Sequence, residues 1–118
     1  MLTLPIKKKW FDMELSGEKP EEYREIKRYY ISRFRKILGV SEIVSDEAFI
    51  ERLRNHPDTR KFRYMFRNGY GKNSPSFIAK CTLSIGTGKE AWGAEKNKDY
   101  FILTIHEITK YKGDGNDK

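Results

Sequence analysis

The sequence of 118 residues has few of the residues on which metal and redox sites depend. Its single cysteine, Cys81, cannot form a disulfide within the chain. A zinc site built on cysteines is excluded for the same reason, and His56 and His106 lie far apart in the chain. The signature of the zinc-dependent deaminases is absent as well. We therefore expect no bound metal and no cofactor, and we expect Cys81 and both histidines to be structural.

The sequence also lacks a long apolar stretch. No run approaches the ~18 residues that a membrane-spanning helix needs. The short apolar start, residues 1–6, precedes its lysines, which is the reverse of the order in a secretory signal. These features predict a cytoplasmic protein without membrane contact. The length predicts a single domain, which we place at residues 1–111 and expect to be a monomer, with a flexible polar tail at residues 112–118.

Basic and aromatic residues, in contrast, are abundant. Lys and Arg number 24 against 17 Asp and Glu, which gives a net charge of +7, and 14% of the residues are aromatic. The cations are concentrated at residues 7–9, 24–36 and 52–72, with aromatic residues interleaved. Cations attract phosphates and rings stack on bases, so this mixture predicts RNA or a nucleotide as partner. The alternative is a solvated surface whose aromatic residues face the core.

The spacing of apolar residues predicts an α+β fold. Helical spacing favours helices at residues 7–16, 29–38 and 46–54, with Gly17 and Gly39 ending the first two and Ser45 capping the third. Alternation of apolar residues and turn signals predict the strands. Strands after a helical middle part indicate a small β-barrel of mixed strands flanked by about three helices. The predicted strands are residues 2–6, 21–27, 62–67, 76–85 and 100–108.

A glycine-rich stretch after the fourth strand does not fit a phosphate-binding loop. Residues 86–89 read Gly-Thr-Gly-Lys, but Leu83 and Glu90 occupy the positions where such a loop needs Gly and Ser or Thr. We expect residues 86–88 to break the strand and form a turn.

The segment between the first helix and the second strand groups three charged residues. Lys19 lies at the mouth of the strand, and alternation places Glu22 and Arg24 on one face. Such cations can hold a phosphate or a base edge while the carboxylate fixes their geometry. Alternatively, Lys19 acts as base or nucleophile and Glu22 moves protons. A surface cluster of ion pairs is the third interpretation.

These residues also carry a family resemblance. The pattern Gly17-x-Lys19-x-x-Glu22-x-Arg24 resembles the G-x-K-x-x-E-x-R signature of the activating-signal-cointegrator homology (ASCH) domain. Residues 4–11 resemble that family's first strand and helix. Residues 66–70, residues 90–94 and the final strand are similar to its compact bacterial and phage members. The resemblance covers the chain up to about residue 111.

The resemblance implies a PUA-like β-barrel with a cleft beside the first helix that binds RNA or a nucleotide. Lys19, Glu22 and Arg24 occupy the signature positions that line this cleft. Some small relatives hydrolyse the amide of N4-acetylcytidine with the signature Lys, a Thr where this chain has Glu22, and a Glu from a later strand. Ribonuclease activity has been attributed to others. The candidates for the later Glu are Glu90, Glu95 and Glu107.

The candidate nucleic-acid-binding residues come from this signature and from the basic, aromatic stretches. We expect Lys19 and Arg24 to contact phosphate or a base edge, and Trp10 or Tyr70 to stack on a base. If the protein is an enzyme, Lys19 and Glu22 are the candidate catalytic residues. A protein-interaction module with an acidic partner is a further alternative. The full binding set is Lys7, Lys9, Trp10, Lys19, Glu22, Arg24, Arg67, Asn68 and Tyr70.

Overall fold

The predicted α+β fold is confirmed by a computed structural model, which describes residues 1–113. It has five strands, three α-helices and a short 3₁₀ helix, Glu90–Trp92. The helices are α1 (Lys8–Ser16), α2 (Arg28–Leu38) and α3 (Asp46–Asn55). The strands are β1 (Leu2–Pro5), β2 (Glu21–Glu25), β3 (Asp58–Arg67), β4 (Ser76–Thr87) and β5 (Asp99–Lys112).

Glycine and serine define the helix ends where the sequence predicts them. Gly17 and Gly39 follow α1 and α2 with φ of 89° and 70°, a left-handed conformation that side chains with a Cβ rarely adopt. The Ser45 hydroxyl accepts a hydrogen bond from the backbone N–H of Ala48 at 3.0 Å and so caps α3. These local signals place all three helices correctly.

The strands form one mixed sheet in the order β1-β3-β4-β5-β2. The β1–β3 pair is parallel and the other pairs are antiparallel, so β1 and β2 are the two edges. Nη2 of Arg24 on β2 nevertheless lies 2.8 Å from the carbonyl oxygen of Pro5 on β1. A contact between the two edge strands means that the sheet curls into a half-barrel.

The three helices fill the concave face of this sheet with aromatic side chains. The ring centroids of Phe11 on α1 and Phe77 on β4 are 5.2 Å apart. Phe34 on α2 lies 4.8 Å from Phe101 on β5, and Phe49 on α3 lies 6.4 Å from the same ring. Large rings bury enough area to build a core although only 37% of the residues are hydrophobic. Cys81 lies fully buried within this core, as predicted.

The predicted break at residues 86–88 is wrong for its first two residues. Gly86 and Thr87 continue β4 and pair with Tyr100 and Asp99 of β5. The hydrogen bonds to β5 outweigh the weak strand preference of glycine, because a partner strand is present along the whole segment. β3 likewise begins earlier than predicted, at Asp58, with an irregular register between Asp58 and Phe62.

β5 is also longer than the predicted strand. It continues to Lys112, which pairs with Ser76 of β4, and so passes the predicted domain end at residue 111. The rest of the predicted tail, residues 114–118, lies outside the described residues.

His106 has the structural contact expected of it, with Nε2 2.8 Å from Oγ1 of Thr82. Across residues 1–113, every helix is too short or too polar to cross a membrane.

Candidate functional site

The turn between α1 and β2 is anchored on both sides, and this directs Lys19 inward. The backbone N–H of Lys19 donates to the carbonyl of Met13 in α1 at 2.9 Å. The carbonyl of Pro20 accepts from the N–H of Ile105 in β5 at 2.8 Å. The side chain of Lys19 therefore extends beneath α1 rather than into solvent, and only 1% of the residue is exposed.

The ammonium group of Lys19 is surrounded by oxygen atoms. Its Nζ donates to Oε2 of Glu14 at 2.8 Å, to the carbonyl oxygen of Glu21 at 2.6 Å and to Oε1 of Glu22 at 3.0 Å. An ammonium group has three donors, so these contacts engage all of them. Lys19 thus contacts a ligand only if one of these bonds is broken.

Arg24 is almost as fully engaged. Its Nε and Nη2 donate to Oε2 of Glu22, its Nη1 donates to the hydroxyl of Tyr30 at 2.9 Å, and its Nη2 also reaches Pro5. Four of the five guanidinium donors therefore have partners within the protein. Arg24 connects β2 to β1 and α2, and Glu22 connects Arg24 to Lys19.

Glu14 belongs to the same cluster, although it lies outside the residues predicted from the sequence. The residue is 1% exposed on the inner face of α1. As an ionised carboxylate, its Oε1 would be buried without a hydrogen-bond partner among residues 1–113. The signal that predicts its burial is its spacing, three residues after the buried Phe11 and therefore on the same helical face. Buried carboxyls need partners, which points to Lys19 nearby in sequence.

The two carboxyl groups of the cluster differ in protonation. Burial raises the pKa of Glu14 to about 10, and the hydrogen bond and charge of Glu22 add to this against the opposing effect of Lys19. Burial would also raise the pKa of Glu22, but the hydrogen bond from Glu14 and the charges of Arg24 and Lys19 lower it below its usual value. At neutral pH Glu14 therefore holds a proton that it can donate toward an ionised Glu22.

Two aromatic rings flank Lys19 and are held by the loop after β4. The Nζ of Lys19 lies 5.5 Å from the ring centre of Trp10 and 5.2 Å from that of Tyr23. A Cβ added at Gly93 would lie 3.0 Å from Cζ2 of Trp10, and one at Gly88 would lie 2.7 Å from Cζ of Tyr23. Only glycines allow the loop to approach both rings this closely.

The predicted binding residues of α1 border this cluster. Trp10 is half-buried, and Lys7 and Lys9 beside it are exposed. The Nζ of Lys9 lies 4.7 Å from the ring centre of Trp10. The structure therefore brings an accessible ring and two accessible cations next to the buried charges. We call this region, formed by Lys7, Lys9 and Trp10 above Lys19, the α1 cleft, after the cleft beside the first helix that the family resemblance implies.

The other predicted site residues are Arg67, Asn68 and Tyr70, and the carbonyl oxygen of Arg67 accepts a hydrogen bond from the N–H of Ile6, next to Lys7, at 2.8 Å. No hydrogen bond or ion pair within residues 1–113 joins Arg67, Asn68 or Tyr70 to Lys19, Glu22 or Arg24. They lie at the end of β3 and in the following loop, where Tyr70 is 87% exposed. The candidates for a later Glu are all exposed, and none of them bonds to Lys19. These candidates are Glu90, Glu95 and Glu107. The carboxyl that joins the signature residues from outside the signature is that of Glu14.

In the part of the chain that the structure describes, no group of three or more His, Cys, Asp or Glu side chains is arranged to hold a metal ion.

Comparison with known proteins gives one partial similarity. The chain is 30% identical over 77 residues to a protein named tRNA ligase 1 from Schizosaccharomyces pombe. The aligned part is 65% of this chain but only 9% of that protein, so the similarity concerns one small segment of it. No family model matches the sequence, and no solved structure matches it.

Proposed function

We propose that the protein is an ASCH-like domain that binds RNA or a nucleotide in the α1 cleft. The observation that carries this proposal is the buried network of Lys19, Glu22 and Arg24 directly beneath the half-exposed ring of Trp10. The net charge of +7 supports an anionic partner. The partial similarity to a protein named for tRNA supports the same class of partner.

The network and the exposed residues have different roles in this proposal. Lys19 and Arg24 have almost no donors to offer, so they are positioning residues that fix α1 against β2 and β1. A buried polar network with nearly all of its groups paired is rigid, which keeps Trp10 in place. Trp10 stacks on a base, and Lys7 and Lys9 contact phosphates.

The test is fluorescence anisotropy of a labelled single-stranded RNA with the wild type and Trp10→Ala. Stacking on an aromatic ring contributes ~1–3 kcal/mol per base, so we expect Trp10→Ala to bind about 5- to 150-fold more weakly. Tyr29→Ala is the matched control, because Tyr29 is an exposed aromatic residue on α2, outside the α1 cleft. Equal affinity of the wild type and Trp10→Ala would overturn the assignment to this cleft.

A second candidate function, hydrolysis of a modified nucleoside or of RNA, is favoured by the pair of carboxyl groups. Glu14 is protonated and Glu22 is ionised at neutral pH, and both contact Lys19. Adjacent groups whose pKa values lie on opposite sides of neutrality are suited to donating and accepting protons. In this function a water molecule attacks the carbonyl carbon of the acetyl group and gives a proton to Glu22, and Glu14 gives its proton to the N4 atom of cytidine as the C–N bond breaks.

Turnover of N4-acetylcytidine, followed by chromatography, tests the hydrolase function. Glu14→Gln keeps the shape of the side chain but has no acidic proton, so we expect turnover to fall by at least about 100-fold while nucleoside binding persists. A wild-type protein that leaves N4-acetylcytidine and RNA unchanged over hours would exclude hydrolysis of these substrates and leave the binding function.

A further inference from the structure

The convex face of the sheet carries cations that the α1 cleft does not use. On β3 and β4 the buried residues Tyr64, Phe66, Phe77 and Ala79 point to the core, so the alternate residues point away from it. Five of the residues on this outer side of β3, β4 and β5 are basic. We call them the basic sheet face: Arg63, Arg67, Lys80, Lys110 and Lys112.

Two of these cations are direct neighbours across strands, and two others flank a single residue. Arg63 is directly opposite Lys80, and Ser76 lies between Arg67 on one side and Lys112 on the other. Like charges directly opposite each other in a sheet are destabilising. This register therefore lowers the stability of the isolated protein through repulsion between cations. An anion bound to this face reduces that repulsion.

Acidic residues do little to neutralise this face. The Nζ of Lys80 is 3.9 Å from Oε1 of Glu107, a long contact between partly exposed groups. For the other four cations, no carboxylate of residues 1–113 lies within ion-pair distance. All four therefore retain charge for an external anion.

Arg67 also has a buried hydrogen-bond donor without an acceptor among residues 1–113. Its Nε is buried and has no partner among residues 1–113, and its Nη2 is 3.5 Å from Sδ of Met65. Buried donors normally have an acceptor, so the Nε of Arg67 is suited to an acceptor atom of a bound ligand. Beside it lies a depression of about 100 Å³ between Met65, Ile78, Lys110 and Lys112. The apolar floor and the basic rim fit a sugar or base edge next to a phosphate.

The dimensions of the basic sheet face favour a chain of phosphates over a small anion. Arg63 and Arg67 are four residues apart on one strand, which is roughly 14 Å, and β3 and β5 are two strand spacings apart, which is roughly 10 Å. One phosphate cannot contact cations spread over this area. A polyanion with regularly repeated phosphates can.

Part of the outer face is already covered by the protein itself. Ala94 of the loop after β4 packs there with Tyr23, Tyr100 and Ile102, near the β2 edge. The basic sheet face lies on the β3 side of this cover. It is also on the opposite side of the sheet from Arg24, which pairs with the core residue Phe101 and points to the concave face. Arg24 and the basic sheet face therefore lie on opposite faces of the sheet, although Lys7 of the α1 cleft follows Ile6, whose N–H donates to the carbonyl oxygen of Arg67 at 2.8 Å.

We propose that the basic sheet face is a second RNA-binding surface that holds the phosphate backbone. Arg63, Arg67, Lys80, Lys110 and Lys112 contact successive phosphates. Tyr70, 87% exposed in the loop that follows Arg67, stacks on a base of the same RNA. This inference rests on RNA as the partner class in the proposed function, but not on the α1 cleft as the place of binding.

The experiment compares the salt dependence of RNA binding in paired variants. A labelled RNA hairpin is titrated with the wild type, with the double variant Arg63→Ala/Lys110→Ala, and with the control Lys36→Ala/Arg52→Ala. The control removes two exposed cations from α2 and α3, so the net charge changes equally. Each phosphate contact contributes about 0.7–0.9 to the slope of log affinity against log salt. We expect the sheet variant to lose about 1.4–1.8 of this slope and the control to lose none.

Each outcome decides between the two surfaces. If Trp10→Ala loses affinity and the sheet variant binds with the wild-type slope, the basic sheet face is not a binding surface and the α1 cleft remains. If the sheet variant loses slope and Trp10→Ala binds normally, the cleft proposal fails and this one stands. Wild-type binding of polyglutamate or phosphatidylserine vesicles as tightly as the hairpin would overturn the assignment to RNA.

Discussion

Arg24 is the residue on which the closure of the half-barrel most directly depends. Its side chain is 11% exposed and joins the carboxylate of Glu22, the carbonyl of Pro5 and the hydroxyl of Tyr30. These partners belong to β2, to the opposite edge strand β1 and to α2. Glu22 in turn holds Lys19, so a change at Arg24 affects the whole cluster.

We predict that Arg24→Ala lowers the free energy of unfolding by about 3–5 kcal/mol, because it leaves the buried Glu22 without its main counter-charge. Urea unfolding followed by circular dichroism measures this loss. Lys36→Ala, at an exposed position of α2, is the control and changes the free energy by less than about 0.5 kcal/mol. A loss below about 1 kcal/mol at Arg24 would show that the network contributes little to stability.

The raised pKa of Glu14 predicts that the protein loses stability as the pH rises above neutrality. Its pKa is about 10 in the folded protein and near the ordinary 4.5 in the unfolded chain. Between these values the folded form binds the additional proton, so the contribution of Glu14 to stability is present at low pH and is lost as the pH rises toward 10. Glu22, whose pKa is lowered, contributes stability that is lost only as the pH falls below its ordinary range.

Glu14→Gln removes the titration of this group and leaves a neutral side chain of the same shape. We expect the stability of the variant relative to the wild type to increase with pH, by up to about 1.4 kcal/mol per pH unit between about pH 6 and pH 9. Urea unfolding of both proteins across this range provides the measurement. A constant difference between them would mean that Glu14 is already ionised at neutral pH.

Among the elements, the loop after β4 packs against the two aromatic rings beside the α1 cleft. Its glycines permit contact with the rings of Trp10 and Tyr23, which flank Lys19. The loop is fastened by a hydrogen bond from the backbone N–H of Lys89 to the Tyr23 hydroxyl at 3.0 Å. Lys98 closes its other end through contacts with Glu25 and Glu95, each at 3.0 Å.

Gly88→Ala tests this loop. The new Cβ would lie 2.7 Å from Cζ of Tyr23 and 2.8 Å from Cβ of Ala94, so Tyr23 must move, and we expect a loss of about 1–3 kcal/mol in stability. Gly86→Ala, two residues earlier, is the matched control, because its Cβ would meet Ile102 at an ordinary 3.7 Å. Thermal unfolding of both variants compares them, and equal melting temperatures would contradict the tight packing of this loop.

At the scale of the whole molecule, positive charge is present on both sides of the sheet. The α1 cleft adds Lys7 and Lys9 at one end of α1, and the basic sheet face adds five cations on the convex side. An RNA that contacts both surfaces has to pass around an edge of the half-barrel. Binding to such separated cations is dominated by the release of counterions.

The salt dependence of binding should therefore scale with the number of phosphates in the ligand. If five sheet cations contact an RNA, we expect a slope of about 3.5 in log affinity against log salt, or roughly a 3000-fold loss for a tenfold rise in salt. A nucleoside monophosphate has no condensed layer of counterions to release, so its affinity should fall far less with salt than that of the RNA. Calorimetric titrations of both ligands at two salt concentrations measure this. A flat response for the RNA would contradict binding through the backbone.

The sequence by itself determines the local features of this protein. Gly17, Gly39 and Ser45 end or begin helices because their effect depends only on the backbone beside them. Alternation along β2 likewise places Glu22 and Arg24 on one face, and both contact each other in the structure. The grouping of Lys19 with these two residues is therefore predictable, since all three lie within six residues.

The tertiary structure alone decides which distant groups meet. Glu14 joins Lys19 only because the turn after α1 folds back, and this burial sets the different protonation of Glu14 and Glu22. The contact of Arg24 with Pro5 requires the sheet to curl, and the length of β4 and β5 follows from their mutual pairing rather than from local preference. Register also places the Arg67 side chain on the face of the sheet opposite to Arg24, although both residues adjoin Pro5 of β1.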